Sequence, residues 1–82
     1  MNNKHRKTLE AIFADPVNAS IAWSDIEGLF RANGGEIREG NGSRVWFIFE
    51  KQVAVFHRPQ STTDKGEVKS VRRYFTNIGL KP

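Results

Sequence analysis

The chain contains no cysteine, which rules out disulfides, thiolate nucleophiles and cysteine-based zinc sites. It has only two histidines, His5 and His57, and their separation offers no convincing metal-ligand spacing. No P-loop, dinucleotide fingerprint or HExxH motif is present, and no repeat or low-complexity tract interrupts the sequence. Ser43 lies next to Arg44, but no third group completes a nucleophile, base and orienting residue. The N-terminal stretch MNNKHRKTLEAIF holds no apolar run long enough for a signal peptide or a membrane span, so a cytoplasmic protein that needs no cofactor is expected.

What remains is an 82-residue chain with 38% hydrophobic residues, enough for one small folded domain. A core of this size is modest, because a domain of about 60 to 80 residues buries only roughly 60% of the surface its unfolded chain exposes. The net charge of +4 is unevenly placed. Residues 1–50 carry six Lys/Arg and seven Asp/Glu, whereas residues 51–82 carry seven Lys/Arg and two Asp/Glu. A basic final third attracts phosphates, an acidic partner or an anionic membrane, and it is equally compatible with a solvated helix face.

The apolar pattern divides the chain into six elements. In KTLEAIFADP, Leu9, Ile12 and Phe13 fall at helical spacing, and Asp15-Pro16 stops the helix. PVNASIA reads as a linker. In WSDIEGLFRANGG, Ser24 is the expected N-cap with Glu27 at the capping-box position, Ile26, Leu29 and Phe30 form one stripe, and Gly34-Gly35 ends the helix. EIREG alternates weakly as a strand. RVWFIFE and QVAVFH are strong strand candidates joined by a two- or three-residue link, which predicts an antiparallel hairpin. After the polar loop RPQSTTDKG, Asp64 caps a last helix with Glu67 at its capping-box position. Val68, Val71, Phe75 and Ile78 form its stripe, and Gly79 stops it. Lys65, Lys69, Arg72 and Arg73 fall largely off that stripe. The expected fold is a two-layer α+β domain, a three-stranded antiparallel sheet with helices on one face, in the order helix, helix, three strands, helix.

A two-residue link at Glu50-Lys51 sets the hairpin register: Phe49 faces Gln52, Trp46 faces Val55, and Arg44 faces His57. A slip of one residue would move Arg44 to the face opposite His57. Both faces of the hairpin carry large apolar groups, Val45, Phe47, Phe49, Ala54 and Phe56 on one and Trp46, Ile48, Val53 and Val55 on the other. In a two-layer fold only one of them meets helices. The second is left for the N-terminal helix, a second copy of the chain or a partner to cover. His57 reads either as a general base, since histidine titrates near neutrality, or as a hydrogen-bonded residue at a strand end. Asp25 and Glu27 read as charges at a helix N-terminus rather than as a catalytic pair.

From Trp23 to Leu80 the sequence resembles the HicA family of bacterial toxins. The likeness rests on a helix ending in Gly-Gly, the Gly42-Ser43 turn before the hairpin, the strand end at His57, Lys65-Gly66 at the start of the last helix, and the closing Ile78-Gly79-Leu80. It implies a double-stranded-RNA-binding-domain-like α-β-β-β-α core, here with an extra N-terminal helix over residues 1–22. It also implies metal-independent cleavage of mRNA, with neutralisation by a HicB-like antitoxin. One departure is specific. Where the family keeps its catalytic histidine after the Gly-Ser turn, this chain has Arg44. The family's catalytic role therefore has no histidine to land on here. The substitution is compatible with a relocated site, with His57 as the base and Arg44 or Arg58 as stabiliser of the phosphorane, and equally with loss of nuclease activity, while Arg58, Lys65, Lys69, Arg72 and Arg73 are the expected RNA contacts. An RNA- or antitoxin-binding module without nuclease activity and a small protein-interaction domain, including a homodimer formed through the open sheet face, are the alternatives.

Overall fold

The computed structural model describes all 82 residues. Six elements follow one another: α1 (Asn3–Ile12), α2 (Trp23–Ala32), β1 (Glu36–Glu39), β2 (Arg44–Phe49), β3 (Gln52–His57) and α3 (Lys65–Asn77). The strands form one antiparallel sheet in the order β1-β2-β3. The fold is the expected α+β arrangement, with the N-terminal helix added to an α-β-β-β-α core.

The hairpin adopts the register set by a two-residue link, with Phe49 opposite Gln52, Trp46 opposite Val55 and Arg44 opposite His57. Glu50, the first residue of the link, takes a positive φ of 54°. Period-two alternation then sends Val45, Phe47 and Phe56 inward, where all three are buried, and leaves Trp46, Val53 and Val55 outward. The inward residues meet an aromatic stack. Phe30 of α2 lies parallel to Phe47 at 4.5 Å between ring centres, and Phe75 of α3 stacks on the other side of Phe30 at 5.9 Å. The Tyr74 hydroxyl donates to the carbonyls of Phe47 and Gln52, which pins α3 to both strands of the hairpin.

One helix end and one connecting segment differ from the local rules. α2 begins one residue before Ser24. Its N-cap is Ala22, with no side-chain hydrogen bond, and Glu27 does not close a capping box. The Glu27 carboxylate is instead held by Trp23 and Arg58, and this non-local pairing outweighs the local capping motif. At α3, Asp64 does cap the helix, its Oδ1 accepting from the Glu67 backbone N–H at 2.7 Å. The segment before α2 is not a loose linker. It bridges at Ala22 to Thr62, and the Thr63 hydroxyl donates to the Ala19 and Ile21 carbonyls.

The N-terminal helix does not cover the outer sheet face. It docks in the helix layer against α2 and α3, burying Leu9 and Ile12. Arg72 fixes it there by donating to the Ile12 and Ala14 carbonyls at 2.9 and 2.8 Å, with its guanidinium 5.8 Å from the Phe13 ring centre. A cation at that position also suits the negative end of the helix dipole. The outer face of the sheet is consequently open to solvent.

Candidate nucleic-acid interface

The open face carries Arg44, Trp46 and Ile48 from β2, Val53, Val55 and His57 from β3, and Arg38 and Glu36 from β1. Arg44 and His57 are both exposed and stand opposite one another at the end of the hairpin. Directly opposed residues have Cβ atoms about 4.5–5.5 Å apart, so the two side chains share one patch. Two features fix that end. Gly42, with φ of 65°, makes the turn that starts β2, and the Arg58 N–H donates to the Ser43 carbonyl at 2.6 Å, carrying the pairing one step past His57. Arg44 takes part in none of the ion pairs, so its charge faces solvent.

Arg58, next in sequence, points through to the helix layer and is committed there. Its Nε and Nη2 donate to Glu27 Oε2 at 3.0 and 2.8 Å. Its Nη1 and Nη2 donate to the two carboxylate oxygens of Glu39 at 2.8 and 2.7 Å. Glu27 Oε2 also accepts from the Trp23 indole N–H at 2.7 Å, and Arg31 lies 3.7 Å from its other oxygen. The hydrogen bonds from Arg58 hold the Glu39 carboxyl below its ordinary range, while Glu39 and then Glu27 make the guanidinium harder still to deprotonate. A guanidinium using both edges of its fork on carboxylates has little left to offer a phosphate. Of the two arginines that sequence reasoning offered for charge stabilisation, Arg44 is the one at His57's face with its charge free.

The α3 cations also divide. Lys65, Lys69 and Arg73 are exposed and lie at i, i+4 and i+8, forming one line along the helix. Like charges at this spacing cost a few tenths of a kcal/mol per pair in an isolated helix, which an anionic partner would relieve. Arg72 faces α1 instead, as described above. The predicted residues therefore form two exposed groups on opposite layers, Arg44 with His57 on the sheet and Lys65, Lys69 and Arg73 on the helix. Arg58 and Arg72 serve within the fold.

Sequence reasoning missed two residues. Glu27 looked like a helix N-terminal charge, and only its i, i+4 relation to Trp23 hinted at the buried bond between them. Trp46 counted as one apolar residue among four on the outer face. It is the one exposed residue among the chain's Phe, Trp and Tyr. No family model matches the chain, and no curated protein or solved structure matches it. No helix is long and apolar enough to cross a membrane.

Proposed function

We propose that the protein is an RNA-cutting toxin of the HicA type, acting without a metal at the Arg44–His57 pair. The observation that supports this reading is the placement of a solvent-facing guanidinium directly across the hairpin from the only histidine on the sheet. Cleavage of RNA by its own ribose needs two services from a protein. A base must take the 2′-hydroxyl proton, and a cation must offset the charge that builds on the phosphorus oxygens. His57 supplies the first and Arg44 the second. The 2′-oxygen forms its bond to phosphorus, the bond to the 5′-oxygen breaks, and that oxygen takes up a proton. The products are a 2′,3′-cyclic phosphate and a free 5′-hydroxyl. Lys65, Lys69 and Arg73 hold further phosphates of the same chain, and a HicB-like antitoxin encoded beside the gene is the expected inhibitor.

The test is cleavage of RNA by purified protein in the presence of a chelator. Cutting that is lost in His57→Ala, and slowed about 10²–10³-fold in Arg44→Ala as for a lost oxyanion donor, is the expected result. Undiminished cutting by His57→Ala removes the assigned base. Salt-sensitive binding without product turns the reading into that of a silent RNA-binding module.

A further inference from the structure

We infer that Trp46 is a base-stacking platform that makes the substrate an unpaired stretch of RNA; the inference rests on the RNA-cutting reading and names its substrate class. Trp46 is 42% exposed, although its strand is the central one of the sheet. An indole costs free energy to leave in water, and this one is not left there for want of a core, since Trp23 is 3% exposed. The ring also lies against the Gly40 backbone. Its Nε1 lies 2.9 Å from the point where a side chain at Gly40 would begin, so the ring occupies space that only a glycine leaves free.

Its neighbours are those a nucleotide requires. Arg44 lies two residues back on the same face, and His57 is the diagonal neighbour across the hairpin. Diagonal positions in such a pair are about 7–8 Å apart, which is within one nucleotide of the stacked base. A base on Trp46 therefore leaves its phosphate beside Arg44 and its ribose near His57. A hollow of about 380 Å³, lined by Arg38, Glu39, Trp46, Ile48 and Val53, lies on the side of the ring away from Arg44 and His57, where the next nucleotide of the strand has room.

The charge of the surface favours RNA over a second copy of the chain. Arg38 is paired with Glu36 on this face, which leaves the unpaired charge of Arg44 as its net charge, suited to a phosphate. The apolar part is four side chains, within the few hundred Å² that monomers commonly expose and below the roughly 800 Å² per partner of a stable protein interface. Duplex RNA does not fit, because its bases are already stacked on each other and its readable surface is shape and phosphate.

Tryptophan emission gives the test, because Trp23 is buried and Trp46 is exposed. The full chain is titrated with an unstructured 12-nucleotide RNA, and separately with the same RNA annealed to its complement. Quenching by the single strand and little by the duplex is expected. Trp46→Ala should bind the single strand roughly 5- to 150-fold more weakly, the range for loss of one stacked base, while Trp46→Phe keeps most of the affinity. Circular dichroism and the Trp23 emission confirm that each variant is folded. Equal binding of duplex, or unchanged affinity and cutting in Trp46→Ala while His57→Ala is inactive, overturns the stacking role and leaves the nuclease reading intact. No binding of either RNA by the wild-type chain overturns both.

Discussion

Replacing Arg58 with alanine strands the Glu27 carboxylate. Glu27 is a buried residue whose side chain is only 10% exposed, and it would keep one strong partner, the Trp23 indole. Breaking a fully buried ion pair costs about 3–5 kcal/mol, because the remaining charge is uncompensated. Arg58 is 34% exposed, so water screens part of this pair, and the retained indole bond offsets more. We expect a loss of about 2–3 kcal/mol, which for a domain of this size lowers Tm by about 10–20 °C. The second carboxylate should matter less. The Glu39 side chain is 63% exposed, and water screens its ion pair. Urea unfolding of Arg58→Ala, Glu27→Gln, Glu39→Gln and the two double variants would separate the terms, since a double-mutant cycle isolates each coupling. Coupling of Arg58 to Glu27 should exceed its coupling to Glu39. Arg58→Lys should recover only part of the loss, because an ammonium cannot span two carboxylates as the guanidinium fork does. A cost below about 0.5 kcal/mol for Arg58→Ala, or equal coupling to both carboxylates, would refute the reasoning. RNA affinity measured at a temperature where the variant is folded should change little, since Arg58 is already occupied.

Three other expectations follow from the same geometry. Gly35→Ala would drive its new methyl into the Phe30 ring, which is fully buried and clamped between Phe47 and Phe75; a loss of about 1–3 kcal/mol or more in thermal unfolding is expected, and a neutral result would show that the stack can shift. Glu50→Gly removes a side chain from a positive φ at the hairpin turn and should raise stability by about 0.5–1 kcal/mol in urea, whereas a loss would mean that the Glu50 side chain supports the turn. Because the Glu39 carboxyl is held below its ordinary value of 4.5, the pairing with Arg58 contributes fully above that pH and is lost as pH falls through the lowered folded value. Stability should therefore drop on the acid side, and Glu39→Gln should flatten that slope. An unchanged acid slope would remove Glu39 as a source.

Much of the fold was legible because short-range rules and long-range packing agreed. The strands alternate with period two, and of the two- and three-residue links the sequence allowed, the protein has the two-residue one, which places Arg44 opposite His57. The α3 stripe was legible for the same reason, Val68, Val71 and Phe75 all being fully buried. The rules failed where a distant partner entered. Ser24 and Glu27 satisfy the local pattern of a capping box, but Arg58, 31 residues away, recruits the Glu27 carboxylate. The stripe on α1 said that the helix buries a face without saying against what. Its destination depends on Arg72 reaching the Ile12 and Ala14 carbonyls, at separations of 60 and 58 residues. A count of basic residues carries no information about which of them are already paired.

That last point decides how the candidate site is composed. Arg44 and Arg58 flank the same strand end and are equal in a charge count, but alternation sends them to opposite faces of the sheet. Arg58 follows His57 directly in sequence, so its side chain turns inward to Glu27 and Glu39, and its backbone N–H closes on Ser43. The Arg58 backbone N–H holds the Gly42-Ser43 turn against the end of β3, and the side-chain bonds to Glu27 and Glu39 anchor the residue that makes this contact. They thereby keep Arg44, the residue after that turn, in register with His57. Arg58 is thus a positioning residue for the pair. Its loss should act on cutting through the geometry of Arg44 rather than through phosphate affinity. In Arg58→Ala, measured below its lowered melting temperature, kcat should fall with KM nearly unchanged, and a rise in KM at constant kcat would instead mark Arg58 as a direct contact to RNA.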